Sequence, residues 1–326
     1  MNRAFFIFLF GALLAASTYA AEPNPIDIQS ERVWLRGAKY GVFVHYLPGG
    51  AGWQGAVDSF DVESFASQML DAGVDYVFFT LGQNHGYYCS PNATYETFTG
   101  YQPNQRCSRR DLPMELADAL SRHHIRLMLY LPSRAPQQDS QAMLGLSDVD
   151  QGKPAPQEFT RKWSAVIREW SKRYGTRISG WWFDGAYNTA GWDDLSKEYN
   201  WTTWADACRA GNSNSLLAFN SGTDPKRAFL SLSKQENYTA GEQTDWKPTP
   251  QQFPPPTGVQ WHILSFLGPN WGQAEAPRSS DTAMIDYIRA VNAQGGVVTM
   301  DVSVSTDGKV FAPHLNQLRA IKAALR

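Results

Sequence analysis

Short apolar runs, each stopped by a polar residue and followed by a helix-periodic stretch, recur along most of this chain. The clearest are Ala38 to Tyr46, Val74 to Thr80, Ile125 to Leu131, the run from Arg177 that ends at Asp184, Leu216 to Asn220, and Val297 to Ser303. They are continuously apolar and do not alternate with polar residues, which is the pattern of strands buried on both faces of a parallel sheet. Between them, Phe65, Met69 and Leu70, then Leu116, Ala117 and Leu120, then Phe159, Trp163, Val166, Ile167 and Trp170 fall on single helical faces. Asp61 reads as a helix N-cap and Gly73 as that helix's end. Asn237 to Glu242 and Gln260 to Ser265 supply weaker candidates for strands six and seven, around the Pro-rich loop from Pro248 to Pro256. Arg227 to Leu232 is a short strand-like piece.

A strand–helix alternation repeated to a count near eight argues for a (β/α)8 TIM-like barrel, and barrels of 326 residues commonly form one domain. An open doubly wound sheet is the alternative. No GxGxxG follows a strand, which counts against a dinucleotide site. Two stretches, Gly82 to Asp111 and Pro132 to Pro156, are longer than ordinary connections and are expected to be loops at the barrel mouth.

The first twenty residues read as a secretory signal: Arg3, an apolar run from Phe5 to Ala16, and small residues before a cleavage point after Ala20. The apolar run is too short to span a bilayer, so residues 21–326 form the expected exported barrel, without a membrane span. Net charge is −2 with no basic run, so nothing favours nucleic acid. Export permits disulfides. Cys89 and Cys107 bracket one loop-like segment and are expected to pair, with Cys208 a buried thiol in a helix. No CxxC or HExxH spacing exists, so no metal or other cofactor is expected.

The chemistry should lie at the carboxyl ends of the strands, where barrels carry their sites. Polar residues at those ends are His45, Gln83 with Asn84 and His85, Asp184, Asn220, Glu242 and Asp301. Aromatic residues interleave with them: Tyr46, Trp53, Tyr87 and Trp271. Amides and carboxylates that can pair with hydroxyls, set among rings that can stack on pyranose faces, describe a sugar cleft and a glycan or glycoside as the partner. Glycoside cleavage needs two carboxylates. Asp184 supplies one, and Glu242, Glu236, Asp245 and Asp301 are candidates for the other.

Three segments then resemble the glycoside hydrolase family 29 α-L-fucosidases: Ala38-Lys-Tyr-Gly-Val-Phe-Val-His45-Tyr, Gly180-Trp-Trp-Phe-Asp184-Gly, and Ala293 to Gly308 with its Gly-Gly-Val-Val-Thr-Met-Asp core. Trp261 to Gln273, containing Asn270-Trp271-Gly272, is similar to a fourth family segment. The resemblance implies a retaining exo-glycosidase with Asp184 as nucleophile and His45 as a sugar ligand. It also implies Glu242, where many members have a TPE-like acid, as proton donor. Three departures mark a divergent member. Gln83 and Asn84 stand where the family has a sugar-holding histidine pair, Asn220-Ser221-Gly222 lacks the usual following arginine, and the family's trailing β-sandwich is expected to be absent. The substrate implied is terminal α-L-fucose or a related L-sugar such as L-galactose or a substituted fucoside. A barrel that binds carbohydrate and has lost turnover is the competing reading.

Overall fold

The computed structural model describes residues 34–326, so the signal-peptide expectation falls outside the described residues. Among the described residues the fold is built on seven strands: β1 (Tyr40–Val44), β2 (Tyr76–Thr80), β3 (Arg126–Pro132), β4 (Ile178–Asp184), β5 (Leu216–Phe219), β6 (His262–Phe266) and β7 (Val297–Val302). All pair in parallel, in the order β5-β4-β3-β2-β1-β7-β6, as one curled sheet of TIM-barrel type. Parallel neighbours need long crossovers, and helices supply them, among them Val62–Ala72, Leu112–Ser121, Gln157–Tyr174 and Asp281–Ala293. Asp61 caps the first of these through Ser64 N at 2.9 Å, and Gly73 ends it at φ 68°, as the sequence predicts.

The strands are buried on both faces, and the core divides accordingly. Phe43, Phe78, Met128, Tyr130, Trp182, Ala218, Tyr238, Ala240 and Leu264 pack together inside the curl. Val42, Val44, Val77, Phe79, Leu129, Trp181 and Phe183, their neighbours along the strands, face the helices in a larger cluster. Tyr130 stacks on Trp182 at 5.5 Å and meets Phe43 edge-on at 5.6 Å, so aromatic bulk floors the site.

The weak part of the sequence pattern departs from expectation. Arg227 to Leu232 is not a strand, since Pro225–Ala228 forms a helical turn capped by Asp224. Residues 237–243 make no regular strand, yet they lie between β5 and β6. Asn237 N donates to Leu217 O at 2.9 Å, Thr239 N to Gln260 O at 2.9 Å, and Gln243 N to Leu264 O at 2.8 Å. Gly241 interrupts the ladder at φ 67°, where any Cβ would sit 1.9 Å from His262 O.

The long loops are ordered. The loop after β2 contains the helix Ala93–Thr99, and the loop after β3 contains Ser140–Gly145. The loop after β3 folds around a buried ion pair. Arg134 Nε donates to Asp148 Oδ2 at 2.8 Å, its Nη2 also reaches that carboxylate, and its Nη1 donates to Lys153 O at 3.1 Å.

The expected Cys89–Cys107 disulfide is not present: all three cysteines are free and buried. Cys107 bridges Tyr88 in a parallel pairing. Side chains alternate along an extended segment, so the residue after Tyr88 points to the opposite face. Cys89 Sγ accordingly lies against Thr80 O and Leu81 O, at 3.4 and 3.3 Å, and Cys107 Sγ lies near Asn92 O. Among the described residues no helix is long and apolar enough to cross a membrane.

Candidate active site

The two-residue period of a strand assembles the site. Phe43, Trp182, Ala218 and Ala240 face the interior, so His45, Asp184, Asn220 and Glu242, each two positions farther on, leave their backbone on that same face at the mouth. Gly185, at φ 75°, then turns the chain out of β4.

Both oxygens of Asp184 are held. Tyr130 donates its hydroxyl to Oδ2 at 2.8 Å, and Asn220 Nδ2 donates to Oδ1 at 2.9 Å. The same Asn220 nitrogen donates to Glu242 Oε2 at 2.5 Å, while Asn220 Oδ1 accepts from Gly222 N at 3.1 Å, which fixes the orientation of the amide. Since the two bonds from Nδ2 measure 2.9 and 2.5 Å, the carboxylate oxygens they reach lie no farther apart than both laid end to end, about 5.4 Å.

The environment of Glu242 favours its protonated form. Burial first, and then the charge of Asp184, raise its pKa to about 7, against the opposing pull of the Asn220 hydrogen bond and of His45. A carboxyl that titrates there can give and take a proton near neutral pH.

His45 forms the facing wall. Its Nδ1 lies 2.7 Å from Oδ1 of the buried Asp301, whose Oδ2 accepts from Gly272 N at 2.6 Å. Burial disfavours charge on the imidazole, but Asp301, with Asp184 and Glu242 beyond it, outweighs burial and raises its pKa. Gly272 is at φ 64°, and this turn brings Trp271 to 5.5 Å from the His45 ring.

The structure thus brings together Asp184, Glu242, His45, Asn220 and Trp271. Gln83 joins at one remove, donating Nε2 to the Tyr130 hydroxyl at 2.9 Å. Asn84 lines a cleft that also includes Asp184. His85 accepts from Tyr87 N at 3.3 Å, and its Nε2 is buried without a protein partner. Burial, then the nearby Arg106 charge, lower its pKa.

The remaining candidates are placed elsewhere. Tyr46 directly follows the inward-facing His45 and so points outward. It packs on Phe60 and Phe79 in the helix-facing layer and donates to Ala56 O at 2.9 Å. Trp53 is buried and packs against Tyr87 at 5.1 Å. Glu236 accepts from Phe219 N and Ser233 N, at 2.8 and 2.9 Å, patching the backbone beside β5, and burial lifts its pKa to about 8. Asp245 pairs with Lys247 at the surface at 3.1 Å. Asp301 orients His45. Of the three alternative acids, none has a hydrogen bond to Asp184 or its amide partner. Among the described residues no group of three or more histidine, cysteine or acidic side chains is arranged to hold a metal ion.

Tyr130 is the functional residue that the sequence reading passes over. It was hidden inside an apolar run, although its parity with Met128 places it on the interior face, at the height where a hydroxyl meets Asp184.

Comparison with known proteins places the fold and the family. The chain is similar in fold to the endo-fucoidan hydrolase MfFcnA9 from glycoside hydrolase family 107, with TM-score 0.71 and 20% identity over 93% of this chain and 65% of that one. A second such enzyme, MfFcnA4, has TM-score 0.68 and 20% identity over 90% of this chain and 53% of that one, so the chain spans between half and two thirds of these relatives. The α-L-fucosidase AlfC from Lactobacillus casei, in complex with α-L-fucose product, has TM-score 0.62 and 17% identity, covering 90% of this chain and 97% of that one. None of the curated proteins matches this sequence. The sequence profile described as Alpha-L-fucosidase matches residues 52–326, most of the chain, and the protein therefore belongs to the α-L-fucosidase family of glycoside hydrolases.

Proposed function

We propose that the protein is an exported, retaining exo-glycosidase that releases terminal α-L-fucose or a related L-sugar from glycans. The observation that carries this reading is the single Asn220 amide bound to both Asp184 and Glu242. Two carboxyls that one amide nitrogen can reach, with the bonded oxygens at most about 5.4 Å apart, support the close pairing of retaining enzymes, about 5–5.5 Å between carboxyl groups, over the wider pairing of inverting ones.

In the first step Asp184 forms a bond to the anomeric carbon as the glycosidic carbon–oxygen bond breaks. Protonated Glu242 delivers its proton to the departing oxygen, which leaves as an alcohol. In the second step a water oxygen replaces Asp184 on the anomeric carbon, and Glu242, now ionised, takes the water's proton. Tyr130 and Asn220 hold the nucleophile in line throughout.

Fucose as the sugar is supported by the family and by the fucose-containing substrates of its structural relatives. The pocket itself is altered: Gln83 binds Tyr130, so hydroxyl recognition falls to His45, Asn84 and the face of Trp271. Residues 237–243 read best as an eighth stave that completes a (β/α)8 barrel in a single catalytic domain. Their hydrogen bonds to β5 and β6 support this. The apolar leader ahead of Ala20 supports export.

The test is turnover of a panel of aryl α-L-glycosides, with the anomeric configuration of the first-formed product followed by NMR. The α-anomer should appear first from an α-glycoside, and Asp184→Asn should abolish turnover with the fold intact. An inverted product, or full activity in Asp184→Asn, would overturn the mechanism. Sugar binding without turnover of any member would support the carbohydrate-binding barrel. A mature amino terminus at Ala21 in the exported fraction tests the leader.

A further inference from the structure

Glu242 stands on a segment that forms no regular strand, and the backbone bonds that hold it run out just past it. Leu264 N donates to Gly241 O at 2.9 Å and Gln243 N to Leu264 O at 2.8 Å, but residues 244–248 make no backbone–backbone hydrogen bond to any described residue. Side chains take over there. Gln243 O accepts from Ser265 Oγ at 2.8 Å, and Thr244 O accepts from Arg278 Nη1. Arg278 Nη2 also donates to Ser265 Oγ at 2.7 Å. A hydroxyl has one proton and two lone pairs, so Ser265, with its proton on Gln243 O, accepts from Arg278. The two carbonyls that follow Glu242 are therefore tied to a single Ser265–Arg278 unit.

The other end of Arg278 belongs to the opposite wall. Its backbone N donates to Leu267 O at 2.9 Å and so closes the loop that carries Trp271. Its guanidinium lies 3.9 Å from the centroid of the Phe266 ring, and Phe266 meets Trp271 edge-on at 5.0 Å. Arg278 has no ion pair among the described residues. Burial disfavours its charge, and the opposing influence is Asp245, which is itself paired with Lys247. The charge is thus held without a counter-ion. What the guanidinium offers in return is a planar fork that donates to two acceptors while lying over a ring, which neither a lysine nor a neutral side chain can do.

We propose that Arg278 is a positioning residue for the reaction: it fixes the segment of Glu242 against the wall formed by Phe266, Trp271 and His45, so that the proton donor meets the leaving oxygen of a sugar seated on that wall. The proposal rests on the glycosidase reading above. Arg278 acts through Ser265 and Thr244, and its effect should fall on the proton transfer more than on nucleophilic attack, because Asp184 is held separately by Tyr130 and Asn220.

The test compares kcat/KM on two substrates of the intact protein, a measure that reports the first chemical step. Phenyl α-L-fucoside has a leaving group that needs a proton, whereas the fluoride of α-L-fucosyl fluoride departs with little help from an acid. Arg278→Lys keeps the charge and gives up the fork. Ser265→Ala removes the other half of the unit with a minimal change of volume. Each variant, compared with wild type at equal folded fraction, should lower kcat/KM on the phenyl glycoside by roughly tenfold or more and on the fluoride by less than about threefold, as expected for a misplaced general acid. A second arm places Arg278→Lys in a Glu242→Gln background, where its effect on the phenyl glycoside should vanish. Equal losses on both substrates, no loss in either variant, or an undiminished effect without Glu242 would overturn the proposal. Failure of the wild type to hydrolyse either substrate would instead count against the glycosidase reading, so the two failures are distinct.

Discussion

Replacing Asn220 with alanine removes the one group that touches both acids, and its effect can be worked out from the geometry. Glu242 titrates at about 7 because burial and the Asp184 charge raise it while the Asn220 hydrogen bond holds it down. A hydrogen bond to a charged group contributes about 1.5–3 kcal/mol. One pKa unit corresponds to about 1.4 kcal/mol. Part of that bond survives when Glu242 is protonated, so the lower end of the range applies and the pKa should rise by roughly one unit. In the proposed mechanism Glu242 must be protonated to act, so kcat/KM falls as pH rises through its pKa. The assay is kcat/KM for an aryl glycoside between pH 4 and pH 10, with wild type and variant compared at equal folded fraction. The alkaline limb of the variant should sit about one pH unit above that of the wild type. The plateau below it should fall by roughly a hundredfold as Asp184 loses a positioning bond. A limb that stays in place or moves toward acid would refute the assignment of Glu242 as the proton donor whose charge Asn220 stabilises.

Other consequences concern single groups. The pKa of Glu242 lies above its ordinary 4.5, so its contribution to stability is complete below that pH and is lost as pH rises through about 7. Glu242→Gln, which cannot ionise, should therefore gain on the wild type by up to about 3 kcal/mol above pH 8 and show little difference near pH 4, read from denaturant midpoints at each pH. Tyr130→Phe removes a buried donor from Asp184 and strands the Gln83 amide; steady-state kinetics should show kcat/KM lower by roughly 10- to 100-fold. Asp148→Asn leaves the buried Arg134 guanidinium without its counter-charge and should cost about 3–5 kcal/mol in urea unfolding, whereas replacing both residues with apolar ones of similar volume should cost far less.

Strong local signals were the ones that could be read from the sequence. Asp184 could be found because a continuous aromatic strand stops at it, and the curled parallel sheet followed from several such runs. Glu242 was weaker. Its segment is kept from a regular ladder by Gly241, whose positive φ admits no side chain there, so the pattern offered only a weak candidate strand ending at Glu242, and the resemblance to known fucosidases singled it out from the other acids. Parity explains the misplaced residues. Tyr46 is adjacent to His45 in the chain and on the opposite face of the sheet, and Cys89 is likewise turned away from Cys107 by one step along an extended segment. Proximity in sequence suggested a shared site in the first case and a disulfide in the second, but a strand separates such neighbours. The Asp301–His45 pair joins β7 to the end of β1 across a sequence separation of 256 residues, a contact that no local pattern encodes.

The Asn220 amide has one more consequence, for the cost of passing from the first half of the proposed reaction to the second. Between those halves Glu242 changes from acid to base and Asp184 from free anion to ester and back. A cationic neighbour would bind most tightly to whichever group was charged at the time and would have to shift as the charge moved. An amide carries no net charge and offers one hydrogen to each carboxyl. Each of those oxygens can accept that hydrogen whether its group is ionised, protonated or esterified. The heavy atoms can then stay where they are through the whole cycle while only protons and electron pairs move, so little reorganisation energy is added to either barrier.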